Sequence, residues 1–404
     1  MAREAEILIV GGGIAGAATA YYLARHGRDV ALVERGEIAS EASGVNAGQI
    51  GATGWGEMPD LGSYLTMGSL QLFKELQLDL GYDIEFRQSG SLTAIHTPEQ
   101  YDYMRDRVLE MRSQGSEVEL LTTREARAME PEANPDLLGF MYTPLRAQAD
   151  PIKATRAFAD AAAQSGARIF TNHAVSGIAP RPGGGYSVAS SRGEFVCESL
   201  VIAAGAWCGP LGRMLGLDIP IIPVRGQMWA TERLPPSVFQ TQSSAESAHI
   251  WSVDDGADAD TPPELTHKDG SRVTRHLYGR QRRNGEIIFG GDRQMAGYEK
   301  AVEHTGIEVN KGHASEVIPM LSGLPIARTW SGLMPFSMDG APIIGRIGLR
   351  ENLYIVSGLA SSGFGRGPMA GKLLADFIDT GHRPQVLAEA DPGRCVTEST
   401  AYTS

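Results

Sequence analysis

The first apolar block of the chain is Ile7-Leu8-Ile9-Val10, a continuous run of the kind that forms a strand buried on both faces. Glycine-rich Gly11–Gly16 follows as a turn, and Ala17–His26, rich in Ala and Leu, reads as a helix stopped by Gly27. Asp29–Val33 reads as a second strand, so the chain opens on a βαβ unit. Residues 62–80 carry apolar residues at helical spacing (Leu65, Leu70, Leu72, Phe73, Leu76, Leu80). Residues 84–95 alternate like a strand around Gly90, residues 99–114 predict a charged helix, and Thr123–Glu130 a short one.

Asp150-Pro151 supplies an N-cap followed by Pro at the first helical position, which starts a helix running to Gln164 before Gly166. Arg168–Phe170 and Ala174–Ile178 predict strands. Tyr186–Ala189 and Glu194–Cys197 predict a hairpin, and Ser199–Ala204 a separate apolar strand entering Gly205 and a helix. Residues 221–230 and 273–291 are β-rich, with Asn284-Gly285 as a strong hairpin turn. Thr231 to Arg272 is rich in Pro, Ser, Thr and Asp, including Asp254, Asp255, Asp258 and Asp260. It reads as a long surface loop, either a lid or contact site or a disordered insertion. Leu353–Val356 predicts a strand, Gly358–Gly363 a turn and Pro368–Ile378 a helix. No internal repeat stands out.

Composition narrows the function classes. A chain of 404 residues exceeds a single core and suits two interleaved domains. A net charge of -12 argues against nucleic acid or an anionic membrane as partner. No apolar run reaches the roughly 18 residues of a membrane helix. No secretion signal precedes the first strand, which leaves the cytoplasm as the expected location. Cys197, Cys208 and Cys395 have no CxxC spacing, and the nine histidines no paired-ligand spacing, so neither a disulfide framework nor a metal site is expected.

The glycine turn matches GxGxxG at Gly11, Gly13 and Gly16. Gly11 permits the turn out of the strand, Gly13 lets a pyrophosphate approach backbone, and Gly16 lets the helix pack on the sheet. Ile14 and Ala15 would present N–H groups at the positive helix end. Glu34 ends the second strand 18 positions after Gly16 (34 − 16), where a carboxylate accepts from ribose hydroxyls; Arg35 follows it. The fingerprint alone leaves FAD and NAD both open.

Four further segments resemble the D-amino-acid-oxidase superfamily, in particular its glycine oxidase, sarcosine oxidase and D-amino-acid dehydrogenase branch. Ala42-Ser43-Gly44-Val45-Asn46-Ala47-Gly48 resembles the loop under the flavin. Ala149-Asp150-Pro151 through the helix to Val175 resembles the stretch that returns to the adenine. Leu200 to Trp207, with Ala204 and Gly205, continuing to Pro223–Gln227, resembles the central strand and crossover. Trp330-Ser331-Gly332-Leu333-Met334-Pro335, Asp339-Gly340, Pro342–Gly345 and Gly358…Ser361-Ser362-Gly363-Phe364-Gly365 resemble the C-terminal signature that closes on the flavin ring.

The resemblance implies an α/β chain. A Rossmann-type FAD-binding domain (1–83, 146–217 and 328–390) would interleave with an α+β substrate domain built on an antiparallel sheet (84–145 and 218–327); separately, the polar composition of the chain end reads as a flexible tail, 391–404. The resemblance implies FAD-dependent oxidation of a C–N bond by hydride transfer to flavin N5. The substrate would be a small amine or amino acid, and partner subunits or a separate electron acceptor are left open. A 2-hydroxyacid or polyol dehydrogenase, or the FAD subunit of a larger assembly, are the alternatives.

Two departures matter. The carboxylate-binding Arg of glycine oxidase-like enzymes falls at Met334, and Met cannot bind a carboxylate bidentately. Arg87, Arg146, Arg225, Arg280 or Arg366 could replace it, although a surface ion pair is the plainer reading of each. No His in Ala42–Gly48 and no Cys near Gly332 could tether a flavin, so dissociable FAD is expected. Tyr278 and His249 are further candidates for the substrate pocket, against the plainer readings of a structural tyrosine and a loop histidine. No acid or base is assigned, because flavin chemistry demands orientation and a dry pocket above all.

Overall fold

In the computed structural model, residues 2–57, 59–246, 248–249, 267–268, 271–272 and 276–399 are described. Two sheets organise them. The first runs Ile343–Arg346, Leu353–Ser357, Gly193–Ile202, Arg3–Val10, Val30–Val33, Arg168–Phe170. Along this path the pairs are parallel except at the Ile343–Arg346 edge, and the antiparallel strands Tyr186–Ser190 and Val175–Pro180 extend the sheet from Gly193–Ile202. The apolar run Leu8–Val10 lies at its centre, with Val10 opposite both Ile202 and Val33. Both faces are therefore covered, as a near-continuous apolar strand requires. On one face pack the helices Ile14–Arg25, Leu61–Leu78, Pro151–Gln164 and Gly363–Thr380. On the other lie Leu211, Leu215 and Ile219, with Tyr186 and Val188 of the hairpin.

The second sheet runs Arg328–Ser337, Ile221–Arg233, Glu286–Gln294, Tyr278–Gln281, Thr241–Ser244, Ser91–Ile95, Gly139–Thr143, Glu119–Leu121. It is antiparallel except where Thr241–Ser244 runs parallel to Ser91–Ile95. One face packs on the helix His304–Val317, to which Trp229 Nε1 donates a 2.9 Å hydrogen bond at Asn310. The other face turns toward the first sheet. Among the described residues no helix is long and apolar enough to cross a membrane.

Capping explains several helix starts. Asp60, Thr97 and Asp150 accept from the N–H groups of Ser63, Gln100 and Lys153, and Thr122 with Glu125 forms a capping box. Other boundaries differ from the sequence expectations. The first helix begins at Ile14, three residues inside the predicted turn. The hairpin strand and the apolar strand after it are one element, Gly193–Ile202, whose first half pairs with Tyr186–Ser190 and whose second half enters the parallel sheet. Of residues 84–95 only Ser91–Ile95 is a strand, because Glu85 and Gly90 both take positive φ. The last helix starts at Gly363 and carries Pro368 inside it rather than at its first position.

The expected surface loop begins late, since the strand Ile221–Arg233 extends through Thr231 and Thr241–Ser244 joins the second sheet. The strands His267–Lys268 and Ser271–Arg272 pair with each other, and the four aspartates lie outside the described residues. The expected flexible tail is packed through residue 399: Val396 is buried, and Thr397–Glu398 pairs with Leu217–Asp218.

Glu130 is a buried carboxylate away from the cleft described below. Its Oε2 accepts from the N–H groups of Phe239 and Gln240 (2.9 and 3.1 Å) and from Gln242 Nε2 (3.0 Å), while Oε1 has no partner. Burial raises its pKa from 4.5 to about 7 against the pull of those donors. A raised folded-state pKa gives stability that is complete below about pH 4.5 and is lost as pH rises through about 7. At about 1.4 kcal/mol per pKa unit the loss is on the order of 3 kcal/mol. Glu130→Gln should therefore gain stability relative to the unmodified protein between pH 5 and pH 8, measured by urea unfolding; a difference independent of pH would contradict this.

Candidate functional site

The glycine turn is held from two sides. Gly11 has φ +122°, and a Cβ there would collide with the Ala203 carbonyl of the neighbouring strand. Gly16 lies against the Gly11 carbonyl, which lets the helix approach the sheet. Both oxygens of Glu34 then accept backbone N–H groups, Oε2 from Gly12 at 2.7 Å and Oε1 from Gly36 at 2.8 Å. The expected ribose ligand is thus first a clamp across the βαβ unit, and each oxygen keeps a further lone pair.

No side chain of the cap residue Gly13 closes the helix N-terminus. Ser43 Oγ accepts from the Ile14 N–H at 2.9 Å, and the first backbone bond onto the turn is Ala17 N–H to Gly13 O. Beyond the Ile14 N–H that Ser43 takes, the first-turn N–H groups above the glycine turn suit an anion.

A cleft begins at this turn and passes between the two sheets. Gly11, Gly13, Ile14, Ala15, Glu34 and Arg35 form its first wall. Ala42, Ser43 and Asn46 follow, then Val175 with Ala204, Gly205 and Trp207. Gly332, Ser361, Gly363 and Phe364 lead to the far end, where Tyr278 and Met334 stand. The chain thus gathers residues from eight separated segments along one surface. Arg35 lies over the Trp207 ring at 3.6 Å and pairs with Glu41, which also pairs with Lys300.

Several expected residues support the cleft from behind. Gly16, Ala47, Gly48, Gly358, Ser362 and Gly365 do not line it. Ala47 is buried beside Met228 and Ile288. Gly48, with φ +76°, lies against the Ala149 carbonyl, and Gly365 lies against Ile50. Asn46 is turned partly inward, donating to Ala42 O and Ser43 O and accepting from Gly48 N–H.

Arg280 is a correction. It is fully buried and donates to the carbonyls of Ala47 and Ala149 and to Gln148 Oε1, so its guanidinium ties the Ala42–Gly48 loop to the second sheet rather than facing the cleft. Burial, with Arg282 and Arg87 nearby, lowers its pKa to about 9. His249 is a second correction: its ring lies 5.2 Å from Tyr103 on the helix Pro98–Ser113, away from the cleft.

The other arginines considered for a carboxylate are directed elsewhere. Arg87 donates to Gln148 and to the Gln281 carbonyl. Arg225 donates to the Ala301 carbonyl and Gln294, on the opposite face from Gly226. Arg366 reaches Thr66 of the Leu61–Leu78 helix, and Arg146 does not line the cleft.

Sequence reading missed other wall residues. Gly226 and Met228 are among them, although alternation along Ile221–Arg233 could have found them. His173 and Glu41 also line the cleft; they lie on connections, where no period marks a facing side chain. Val45 carries a clearer signal, since its carbonyl accepts from Trp330 Nε1 at 2.7 Å and its side chain leaves no room for a Cβ on Gly332. Tyr278 is a wall residue whose hydroxyl pKa is raised by burial. Met334 is half-buried and packs with Val224 and Phe336.

Comparisons with known proteins agree with this fold. A family described as FAD dependent oxidoreductase (DAO) matches residues 6–377. Glycine oxidase of Bacillus licheniformis is 27% identical over 387 residues, covering 94% of each chain. Sarcosine oxidase subunit beta of Rhizobium meliloti is 30% identical over 403 residues, covering 95% of this chain and 86% of that protein. The crystal structure of glycine oxidase from Geobacillus kaustophilus superposes with a TM-score of 0.81 at 26% identity, over 96% of this chain and 98% of that one.

Removing the Glu34 carboxylate should loosen the turn itself. Glu34→Ala loses two charge-assisted bonds, a cost of roughly 3 kcal/mol or more, and Glu34→Gln, which keeps one acceptor, about half of that. Urea unfolding of both variants stripped of small molecules measures it. Variants as stable as the parent would contradict the clamp.

Proposed function

The chain belongs to the DAO family of FAD-dependent oxidoreductases, and on that footing we propose that it oxidises the C–N bond of a secondary or cyclic amine or amino acid, with FAD held non-covalently in the cleft. The observation that carries this reading is the continuity of the wall, from Glu34 and the open helix start to an apolar end at Met228, Tyr278 and Met334. Residues 1–83, 146–217 and 328–390 would hold the cofactor, and 84–145 with 218–327 the substrate. Glu34 would take the ribose, and the Ile14–Arg25 helix start the pyrophosphate. The turn before the Gly363–Thr380 helix would face the ring. Flavin supplies the acceptor for the electron pair and hydrogen lost from the substrate carbon. The residues of the chain bind the amine, orient its C–H bond and keep water out; the released imine hydrolyses in water.

The non-covalent reading rests on the residues at hand. No His stands in Ala42–Gly48 and no Cys near Gly332. Cys208, which follows the Gly205–Trp207 turn, is fully buried, and its thiol is pushed up to about 11, far from a reactive thiolate.

Met334 supports a substrate unlike glycine. Its thioether cannot offset the desolvation of a carboxylate placed against it. A substrate with an N-alkyl or cyclic amine, or with its acid elsewhere, fits an apolar wall. The likeness to sarcosine oxidase subunit beta favours a second reading, in which this chain is one subunit of a larger assembly. Native mass after co-expression with genomic neighbours tests that reading.

Anaerobic flavin reduction tests the first. N-Alkyl or cyclic amino acids should bleach the flavin on the order of 100-fold faster than glycine or D-alanine, a difference of about 2.7 kcal/mol. Rapid bleaching by low-millimolar glycine or D-alanine would contradict the specificity. Bleaching by 2-hydroxyacids or polyols and by no amine would contradict the reaction.

A further inference from the structure

A second cavity lies between residues 83–87 and the hairpin that carries Arg280 and Arg283. Its wall includes Arg87, Arg280 and Arg283, the carboxylates of Asp83 and Glu85, and the ring of Phe86; none of these lines the cleft. Its volume of about 150 Å³ is well beyond the roughly 15 Å³ that one water needs.

Two guanidiniums meet here on one atom. Gln148 Oε1 accepts from Arg280 Nη1 at 2.9 Å and from Arg87 Nη2 at 3.1 Å. Their other acceptors are backbone carbonyls, those of Ala47 and Ala149 for Arg280 and that of Gln281 for Arg87. Every one of these partners is neutral. Arg280 is 1% exposed and uses three of its five N–H groups in these bonds. The Nε and Nη1 groups of Arg87 donate to no described residue.

The acids nearby are committed to other cations. Arg283 donates to both oxygens of Asp83, Glu85 pairs with Lys153 at 2.9 Å and Arg283 at 3.4 Å, and Asp150 pairs with Arg282 at 2.6 Å. Among the described residues no carboxylate oxygen comes within 4.0 Å of a nitrogen of Arg87 or Arg280. Burial depresses the pKa of both guanidiniums, and for Arg280 the charges of Arg282 and Arg87 add to it. Two like charges held close together with only neutral partners are costly, and an entering anion offsets that cost. The charged side chains of the wall sum to +1 (three arginines against two carboxylates, 3 − 2), which suits one negative charge and opposes two. The guanidinium fork matches a carboxylate, and Phe86 gives its apolar body a surface.

We propose that this cavity is a second binding site, which holds a small monocarboxylate between Arg87 and Arg280. It is separate from the cleft and does not depend on the reaction assigned there.

Thermal unfolding of the flavin-loaded enzyme tests the site, with propionate as the probe at constant ionic strength set by chloride. The melting temperature should rise saturably, with half-saturation on the order of millimolar. Propionamide, which lacks the charge, should give no saturable rise. Inorganic phosphate at about pH 8, a dianion, should need roughly threefold more than propionate. Arg280 also ties the Ala42–Gly48 loop, so the substitution falls on Arg87. Arg87→Gln should raise the half-saturating concentration about tenfold or more. Arg87→Lys keeps the charge without the fork and should fall between. Arg283→Gln frees the Asp83 carboxylate and cancels the net charge, and should weaken propionate by roughly threefold or more.

Flavin content and the melting temperature without propionate report folding; if Arg87→Gln does not fold, Arg87→Lys and Arg283→Gln decide. A parent enzyme without a saturable rise, propionamide or phosphate as effective as propionate, or any of the three variants with the half-saturation of the parent would each overturn the proposal. Propionate bound in the cleft instead would appear as a rise that all three variants retain.

Discussion

The carboxylate of Glu34 holds together the joint on which the rest of the structure depends. It ties the glycine turn at Gly12 to the end of the second strand at Gly36. Gly11 and Gly16 leave no space at that joint for a side chain, so the first helix can pack hard against the sheet. That packing leaves the helix start open and aimed along the cleft. The pairing of Val10 with Ile202 and Val33 then places the Ala203–Trp207 turn beside the same opening. One carboxylate, two glycines and three parallel strands thus define this end of the cleft before any second-sheet residue is involved.

The other end is set by a different constraint, the alternation of side chains along the second sheet. One face of the strand Ile221–Arg233 carries Trp229 and Gln227 toward the His304–Val317 helix; the other carries Gly226 and Met228 toward the cleft. Buried polar groups on the helix side are paired with one another, as Gln227 with Asp292 and Arg225 with Gln294. The cleft side is mostly glycine, methionine and aromatic residues, a surface that positions an organic ligand by shape. The Ala42–Gly48 loop joins the two ends through Trp330 to Val45 and Arg280 to Ala47.

Much of this was legible in the chain, for physical reasons. The βαβ unit announces itself because its apolar run, glycines and acid are close in sequence and each serves one role. The Asp150-Pro151 start and the Asn284-Gly285 turn were readable because capping and turn chemistry are local. The helix His304–Val317 was not read: it has no side-chain cap, and Gly306 and Gly312 dilute its pattern. Gly306 sits where the helix crosses Asp292, a close approach that only the fold reveals.

Arg280 and His249 were misplaced for a related reason. A sequence shows that a charged or titratable residue exists, but not whether carbonyls or an aromatic ring already occupy it. The tail was misjudged because its polar composition hides the buried Val396 and the pairing with Leu217–Asp218.

The claim that one dissociable FAD occupies the cleft is tested most directly by precipitating the purified protein with acid and measuring flavin in the supernatant and the pellet. The account predicts a yellow protein that releases about one FAD per chain into the supernatant, consistent with a single dinucleotide turn of this kind. Flavin that stays with the pellet would contradict non-covalent binding, and bound NAD without flavin would contradict the assignment of the cleft.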